Sequence, residues 1–577
     1  IGMSRQEVID NIGTIAKSGT RELMERVRQG EASAARAAEL IGQFGVGFYS
    51  SFMVADRIEL VTRRAGEETA TRWVSSGDGT FTVDAAERAG HGTTVTLHLK
   101  PADRDEGLDD YTEEWALKRI VKRYSDFVTH PIRLRVEREE PAAQAEGAGE
   151  GKAEGEAEKA AEPATRTELR FETINSMKPI WTRPESELTA EDLRQFYRHI
   201  GHDWNDPLLH VALHAEGRFE YQALLFVPES APYDLYYIGH RPGLQLYVRR
   251  VMIQEHCEDL LPRYLRFIKG VVEASDLPLN VSRELLQTNR QMTAIRKGLV
   301  RKVLDTLKAL KADQREKYET FWREFGRALK EGADEEHDQR DRLLGLLLFE
   351  SSADPEALTD FDGYIARMKE GQKEIFYLTG ESRAAVENSP HLEAFKAKGI
   401  EVLYLTDPVD ELMVQTLHEV EGKRLKSVGK GEIDLGAEEE KGERAEKLKS
   451  REEELKPLLE ALQKKLDAHV KHVRLSGRLT ESPACLVGAE HDYSPQLEKL
   501  LLKGKGGGLK QRRILEVNPE HPVVAGLFRR FRADAADPLI GDYAELLFGY
   551  ATLAEGSELP DPPAFNRRLV ELMARGA

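Results

Sequence analysis

Residues 41–50 read IGQFGVGFYS, in which Gly42, Gly45 and Gly47 frame Gln43, Phe44 and Val46 ahead of an apolar helical start at Phe48. Glycines let backbone N–H groups come close to a phosphate, and a helix N-terminus behind them adds a favourable dipole. The spacing is not a P-loop, because no Gly-Lys-Ser/Thr follows, and the glycine order differs from the dinucleotide fingerprint. On pattern alone a plain glycine-rich turn explains the stretch equally well, so its meaning depends on what surrounds it.

What surrounds it is long. A chain of 577 residues and 65.1 kDa exceeds what one hydrophobic core serves, and two to four domains are expected. An apolar fraction of 40% supports packed cores, while 32% charged residues and a net charge of -18 give an acidic surface that disfavours a general nucleic-acid binder. The two cysteines, Cys257 and Cys485, are far apart and in no ligand-like spacing, so neither a disulfide framework nor a zinc site is expected. No apolar run approaches the roughly 20 residues that span a bilayer, and no secretory start is visible. A cytoplasmic protein without membrane partners is the expectation.

Upstream of position 139, the segments RIELVTRR (57–64) and TTVTLHLK (93–100) alternate apolar and polar residues, with Val95, Leu97 and Leu99 on one face, as half-buried strands do. Residues 141–164 hold only Pro, Ala, Gln, Glu, Gly and Lys, a composition that buries too little apolar surface to offset ordering entropy, and a disordered acidic linker is expected over 139–168. Beyond it, short β-like runs (YQALLFV, GLQLYVRRVMI, KEIFYLT, IEVLYLT) alternate with amphipathic helices, the pattern of α/β layers. Met292, Ile295, Leu299, Val303, Leu307 and Leu310 recur at helical spacing as one stripe. The nearly all-charged stretch 437–456 predicts an exposed helix or hinge, with a boundary near residue 430. The closing segments YAELLFGYATL and FNRRLVELMARG fit either a dimer interface or an ordinary core.

The order of several long motifs is more specific than any of these. Ile1-Gly2-Met3, NIGTIAKSGT (11–20), IGQFGVGFYSSF (41–52), HGTTVTLHL (91–99), NDPL (205–208), LPLNVSRELLQ (277–287) and SPHLEAFKAKGIEVLYLTDPVDE (389–411) together closely resemble the ninety-kilodalton heat-shock chaperones of bacterial type. The resemblance covers the chain except the acidic linker. It implies a multidomain α+β and α/β fold: a GHKL-type (Bergerat) ATP-binding sandwich over 1–138, an αβα middle domain of two subdomains over 169–430, and a small α+β dimerisation domain over 431–577. By the same resemblance, Gly2 and Met3 stand at the adenine, Asn11 lies beside the nucleotide, Thr93 belongs to a Gly-Thr pair near the base, and Gly42 to Phe48 form the hinge of a lid. Arg283 is implied as the arginine that reaches the terminal phosphate, with Gln287 beside it; without the family context Arg283 is an exposed arginine near a helix start.

The implied function is a homodimeric chaperone that remodels client proteins through ATP binding and hydrolysis, with Mg2+ as cofactor and a seventy-kilodalton chaperone system as a further partner. The water-activating glutamate and the magnesium-binding asparagine of relatives are expected upstream of Ile1, so the chain as given is expected to be deficient in ATP hydrolysis. An ATP-independent holdase, a nonfunctional fragment and a topoisomerase-like or repair ATPase of the same nucleotide fold are the alternatives. Clients are expected on an apolar face formed by Tyr493, Leu497 and Leu501. His199 and His202 share a helix face without a third ligand, and KGKGGG (503–508) lacks the frame of a phosphate loop.

Overall fold

The computed structural model describes residues 1–14, 47–103, 105, 107–141, 165–217, 219–274, 277, 290–433, 435, 438–504 and 511–576. These fall into two compact units, Ile1–Leu261 with Phe267–Val300, and Pro262–Arg266 with Arg301–Ala577.

In the first unit, the alternation of RIELVTRR becomes strand β1 (Ala55–Arg63), which buries Ile58 and Leu60. It is central in an antiparallel sheet with β2 (Ala70–Ser75), β3 (Thr82–Ala86) and β4 (Gly92–Leu99), in the order β3-β2-β1-β4. Trp73 and Val8 complete a small core against which Met3, Ile12, Phe48 and Leu97 pack. The uniform half-buried face expected along β4 is not observed. The strand lies at the sheet edge, and Val95 is 41% exposed because the packed cluster reaches only as far as Leu97.

Strands β5 (Arg133–Pro141) and β6 (Thr165–Thr173) pair antiparallel from Arg133↔Thr173 to Pro141↔Thr165. The paired ribbon therefore enters both ends of the acidic stretch, whose interior, 142–164, lies outside the described residues. A second sheet of this unit contains β7 (Pro207–Ala215), β8 (Tyr221–Pro228), β9 (Gly243–Val248), β10 (Val251–Gln254) and β11 (Lys269–Ala274), in the order β10-β9-β11-β8-β7. Helix Ala190–Gly201 is started by a Thr189/Asp192 capping box and lays Leu193, Phe196 and Tyr197 on this sheet's core with Trp181 and Phe226.

The second unit alternates helices with β12 (Glu350–Ser351), β13 (Glu374–Thr379), β14 (Leu403–Leu405), β15 (Glu419–Val420) and β16 (Lys423–Ser427). Their order is β12-β14-β13-β16-β15, with β13 parallel to both neighbours, as α/β layering requires. The helix Arg290–Asp313 buries every member of its predicted stripe, from Met292 to Leu310. The charged stretch enters helix Glu438–Leu466, in which exposed residues 449–454 give way to buried Leu455, Leu458, Leu462 and Leu466. These leucines pack on a three-stranded sheet of β17 (Val470–Leu475), β18 (Ala484–Val487) and β19 (Arg513–Val517), together with helices Pro522–Ala533 and Pro538–Ala554. Residue 430 thus lies between two sheets with separate cores. The molecule is a multidomain α+β and α/β protein.

Candidate functional site

The turn that opens the chain is built around Gly2, at φ +76. A Cβ there would lie 1.9 Å from the Arg63 carbonyl oxygen, so backbone meets backbone and only glycine fits. The Ala65 N–H donates to the Ile1 carbonyl at 2.8 Å, which ties the turn to the end of β1. One residue on, the Met3 N–H donates to Thr62 Oγ1 at 2.9 Å. Thr62 is fully buried on β1, and its hydroxyl shares a 2.8 Å hydrogen bond with Thr93 Oγ1 on β4. Three of the predicted residues, Gly2, Met3 and Thr93, are therefore drawn together around Thr62.

Thr62 was not among the predicted residues. The signal was present in RIELVTRR, where a threonine takes the inward register of a strand whose other inward positions are apolar; a buried hydroxyl at such a place needs a partner. Thr93 itself is exposed, so its hydroxyl keeps capacity for a ligand beyond the bond to Thr62.

After Met3, a Ser4/Glu7 capping box starts a short helix that widens into a π-turn over Val8–Ile12. Asn11 sits in that turn, half-buried, and such turns are frequent at functional sites because they re-aim side chains. The Tyr49 hydroxyl donates to the Ile12 carbonyl, and burial raises its pKa. Phe48 meets Trp73 edge to face at 5.4 Å, which fixes the end of the glycine-rich motif on the same core as Met3 and Ile12. Gly47 is described, whereas Gly42, Gln43, Phe44, Gly45, Val46, Arg283 and Gln287 lie outside the described residues.

The expected client face is broken. Tyr493, just before helix Pro495–Gly504, and Leu501 within it are exposed, but Leu497 is only 4% exposed. The reason lies in its neighbours. Ser494 donates to buried Glu411 at 2.6 Å, and Glu498 pairs with Arg513 at 3.0 Å, so the 494/497/498 face turns inward. Larger exposed apolar groups occur elsewhere, where sequence reading did not place them. Trp204 is 86% exposed, just before β7; Tyr233, Tyr237 and Ile238 are exposed in the loop after β8. Pro207 pairs with Pro228, so both segments leave the same end of the β7–β8 pair. In helix Pro562–Gly576, Leu569, Val570 and Met573 form a further exposed apolar stripe.

No group of three or more His, Cys, Asp or Glu residues suited to a metal occurs among the described residues. His199 Nε2 lies 3.8 Å from Asp126, which also takes Lys122 at 2.9 Å, while His202 sits in the left-handed region at the helix end. Both cysteines are buried and free, and no described helix is long and apolar enough to cross a membrane.

The chain matches the family described as Hsp90 protein over residues 110–577. It is 52% identical over 577 residues to Chaperone protein HtpG of Mycobacterium bovis, covering 100% of this chain and 87% of that protein. With the proteins of the same name from Rhodococcus jostii and Mycobacterium avium the identity is 50%, over 575 and 579 residues, at the same coverage of 100% and 87%. A family match over residues 110–577, together with this identity along the whole chain, establishes that the chain belongs to the Hsp90 family of chaperones.

Proposed function

We propose that the protein is a homodimeric, cytoplasmic chaperone that holds and remodels partly folded client proteins through a cycle of ATP binding and hydrolysis, alongside a seventy-kilodalton chaperone system. The observation that carries the reading is the relation to proteins named Chaperone protein HtpG along the whole chain. The exposed Trp204, Tyr233, Tyr237 and Ile238 support it, because an adaptable apolar surface is what a holder of many unfolded chains requires.

The residues at the opening turn suit a nucleotide. Gly2 allows a turn that no residue with a side chain could form, Thr93 offers a hydroxyl fixed from behind by Thr62, and Asn11 carries an amide in the π-turn that follows. ATP with Mg2+ would supply the phosphoanhydride whose hydrolysis drives the cycle. Arg283, with Gln287 beside it, would neutralise charge at the terminal phosphate, the role of an arginine that completes a phosphoryl-transfer site.

The test is suppression of aggregation of a heat-denatured reporter enzyme by the full chain, with and without ATP. Trp204→Ala combined with Tyr237→Ala is expected to weaken suppression several-fold at unchanged far-UV circular dichroism, since both side chains are exposed. Unchanged suppression would remove this surface from the reading, and absence of any suppression by the parent chain would remove the chaperone assignment.

A further inference from the structure

A cavity of about 480 Å3 opens in the second unit where the ends of β13 and β16 face β18, β19 and the end of helix Pro538–Ala554. That volume lies within the usual range for small-molecule sites, about 300–1,000 Å3. Leu378, Val386, Leu486 and Leu553 give it an apolar wall.

Its polar groups are unevenly satisfied. Arg513 is taken up by Glu498 at 3.0 Å and Glu555 at 3.4 Å, and Glu381 by Lys499 at 2.6 Å. Lys430 also lines the cavity, half-buried, and its ammonium has no ion-pair partner within 4.0 Å among the described residues. Burial holds it below the ordinary lysine value, with Glu411 pulling the other way. His391 is 6% exposed and lines the same space, and its Nδ1 has no hydrogen-bond partner; Gln496 Oε1 is likewise buried and unpartnered. Buried polar atoms without partners are rare enough in folded proteins to need an explanation.

We propose that this cavity binds a small organic monoanion, its carboxylate on Lys430, its apolar body against Leu378, Val386, Leu486 and Leu553, and a polar substituent on His391 Nδ1. A single charge is specified because, of the two lining cations, Arg513 is held by Glu498 and Glu555 while Lys430 feels Glu411 and Asp492 without a close ion pair among the described residues, and the carboxylates Glu381 and Glu555 on the wall make a second negative charge unfavourable. An aromatic or short aliphatic carboxylate has this chemistry.

The test uses the full chain and 2-naphthoate as the probe, titrated by calorimetry beside neutral 2-naphthamide. Saturable binding at one site per chain is expected, with naphthamide at least tenfold weaker, and Lys430→Met reducing naphthoate affinity at least tenfold, the scale of one charge-assisted hydrogen bond. Ala384→Phe, at an exposed position of the lining, is expected to block the cavity and abolish binding without disturbing the core. No saturable binding, equal affinity for the amide, or affinity indifferent to both substitutions would overturn the assignment.

Discussion

His391 makes the second unit sensitive to acid, and the size of the effect follows from where the ring sits. It lies on the 3-10 turn Pro390–Leu392, almost fully buried. Burial, reinforced by the Arg478 and Arg513 cations, pushes its pKa down to about 3, against a small opposing contribution from the Leu486 backbone. In the unfolded chain the ring takes up a proton near pH 6.5. Between these values the unfolded state binds one more proton than the folded state, so stability rises with pH through this window and is lost as pH falls from about 6.5 toward 3. Taking both values, the loss between pH 7.5 and pH 5 is about 2 kcal/mol, at 1.36 kcal/mol per pKa unit. The assay pairs urea unfolding of the parent and His391→Gln chains at the two pH values. The parent is expected to lose about 2 kcal/mol more than the variant on acidification. Ring resonances of isotope-labelled histidine, with His391 assigned by its disappearance in the variant, provide the direct check and are expected to stay at the neutral position at pH 5. A ring that titrates near 6.5, or equal acid sensitivity in the two chains, would refute the reasoning.

Two other perturbations have defined outcomes. Lys330 is buried with Nζ 2.7 Å from Asp407 and 2.9 Å from fully buried Asp410, so Lys330→Met strands a carboxylate and should cost about 3–5 kcal/mol, read by chemical denaturation, whereas adding Asp410→Asn should recover much of the loss. Val570→Glu with Met573→Glu places charge on the exposed stripe of helix Pro562–Gly576; if that stripe is the dimer seam, sedimentation should shift from dimer to monomer with little change in helix content, and an unchanged mass would place the seam elsewhere.

Periodicity made the regular elements legible. The Met292-to-Leu310 stripe follows the 3.6-residue period of a helix, and the β-like runs YQALLFV and KEIFYLT became strands buried nearly throughout, as short continuous apolar runs do. Two readings failed for one shared reason. Val95 and Leu497 satisfy their local patterns, yet their exposure is decided by long-range partners: the packed cluster stops short of Val95, while the Ser494–Glu411 and Glu498–Arg513 contacts roll Leu497 inward. Of the candidate site, Gly2, Met3 and Thr93 came from motif resemblance. The inward register of Thr62 was legible in RIELVTRR, but its partner Thr93 is set by the strand pairing that places the two opposite each other.

The cavity at Lys430 also lies on the seam between the two sheets of the second unit, and the polar contacts there suggest why an occupant would matter to both. Arg478 donates to the carbonyls of Val428 at 2.7 Å and Gly431 at 2.6 Å, while its Nε binds Glu516 of β19 at 3.0 Å. Lys430 bridges to Gly488, just past β18, so the strand that leaves β16 is stitched to the β17–β19 sheet on both sides of the residue whose ammonium is uncommitted. Arg478 and Glu516 are each nearly inaccessible, and an ion pair so placed holds one geometry because any displacement leaves a charge without its partner. A carboxylate on Lys430 would add a further bond to this seam and favour the arrangement in which both sheets hold it. Bound ligand and sheet packing are then linked, each stabilising the other by the same free energy.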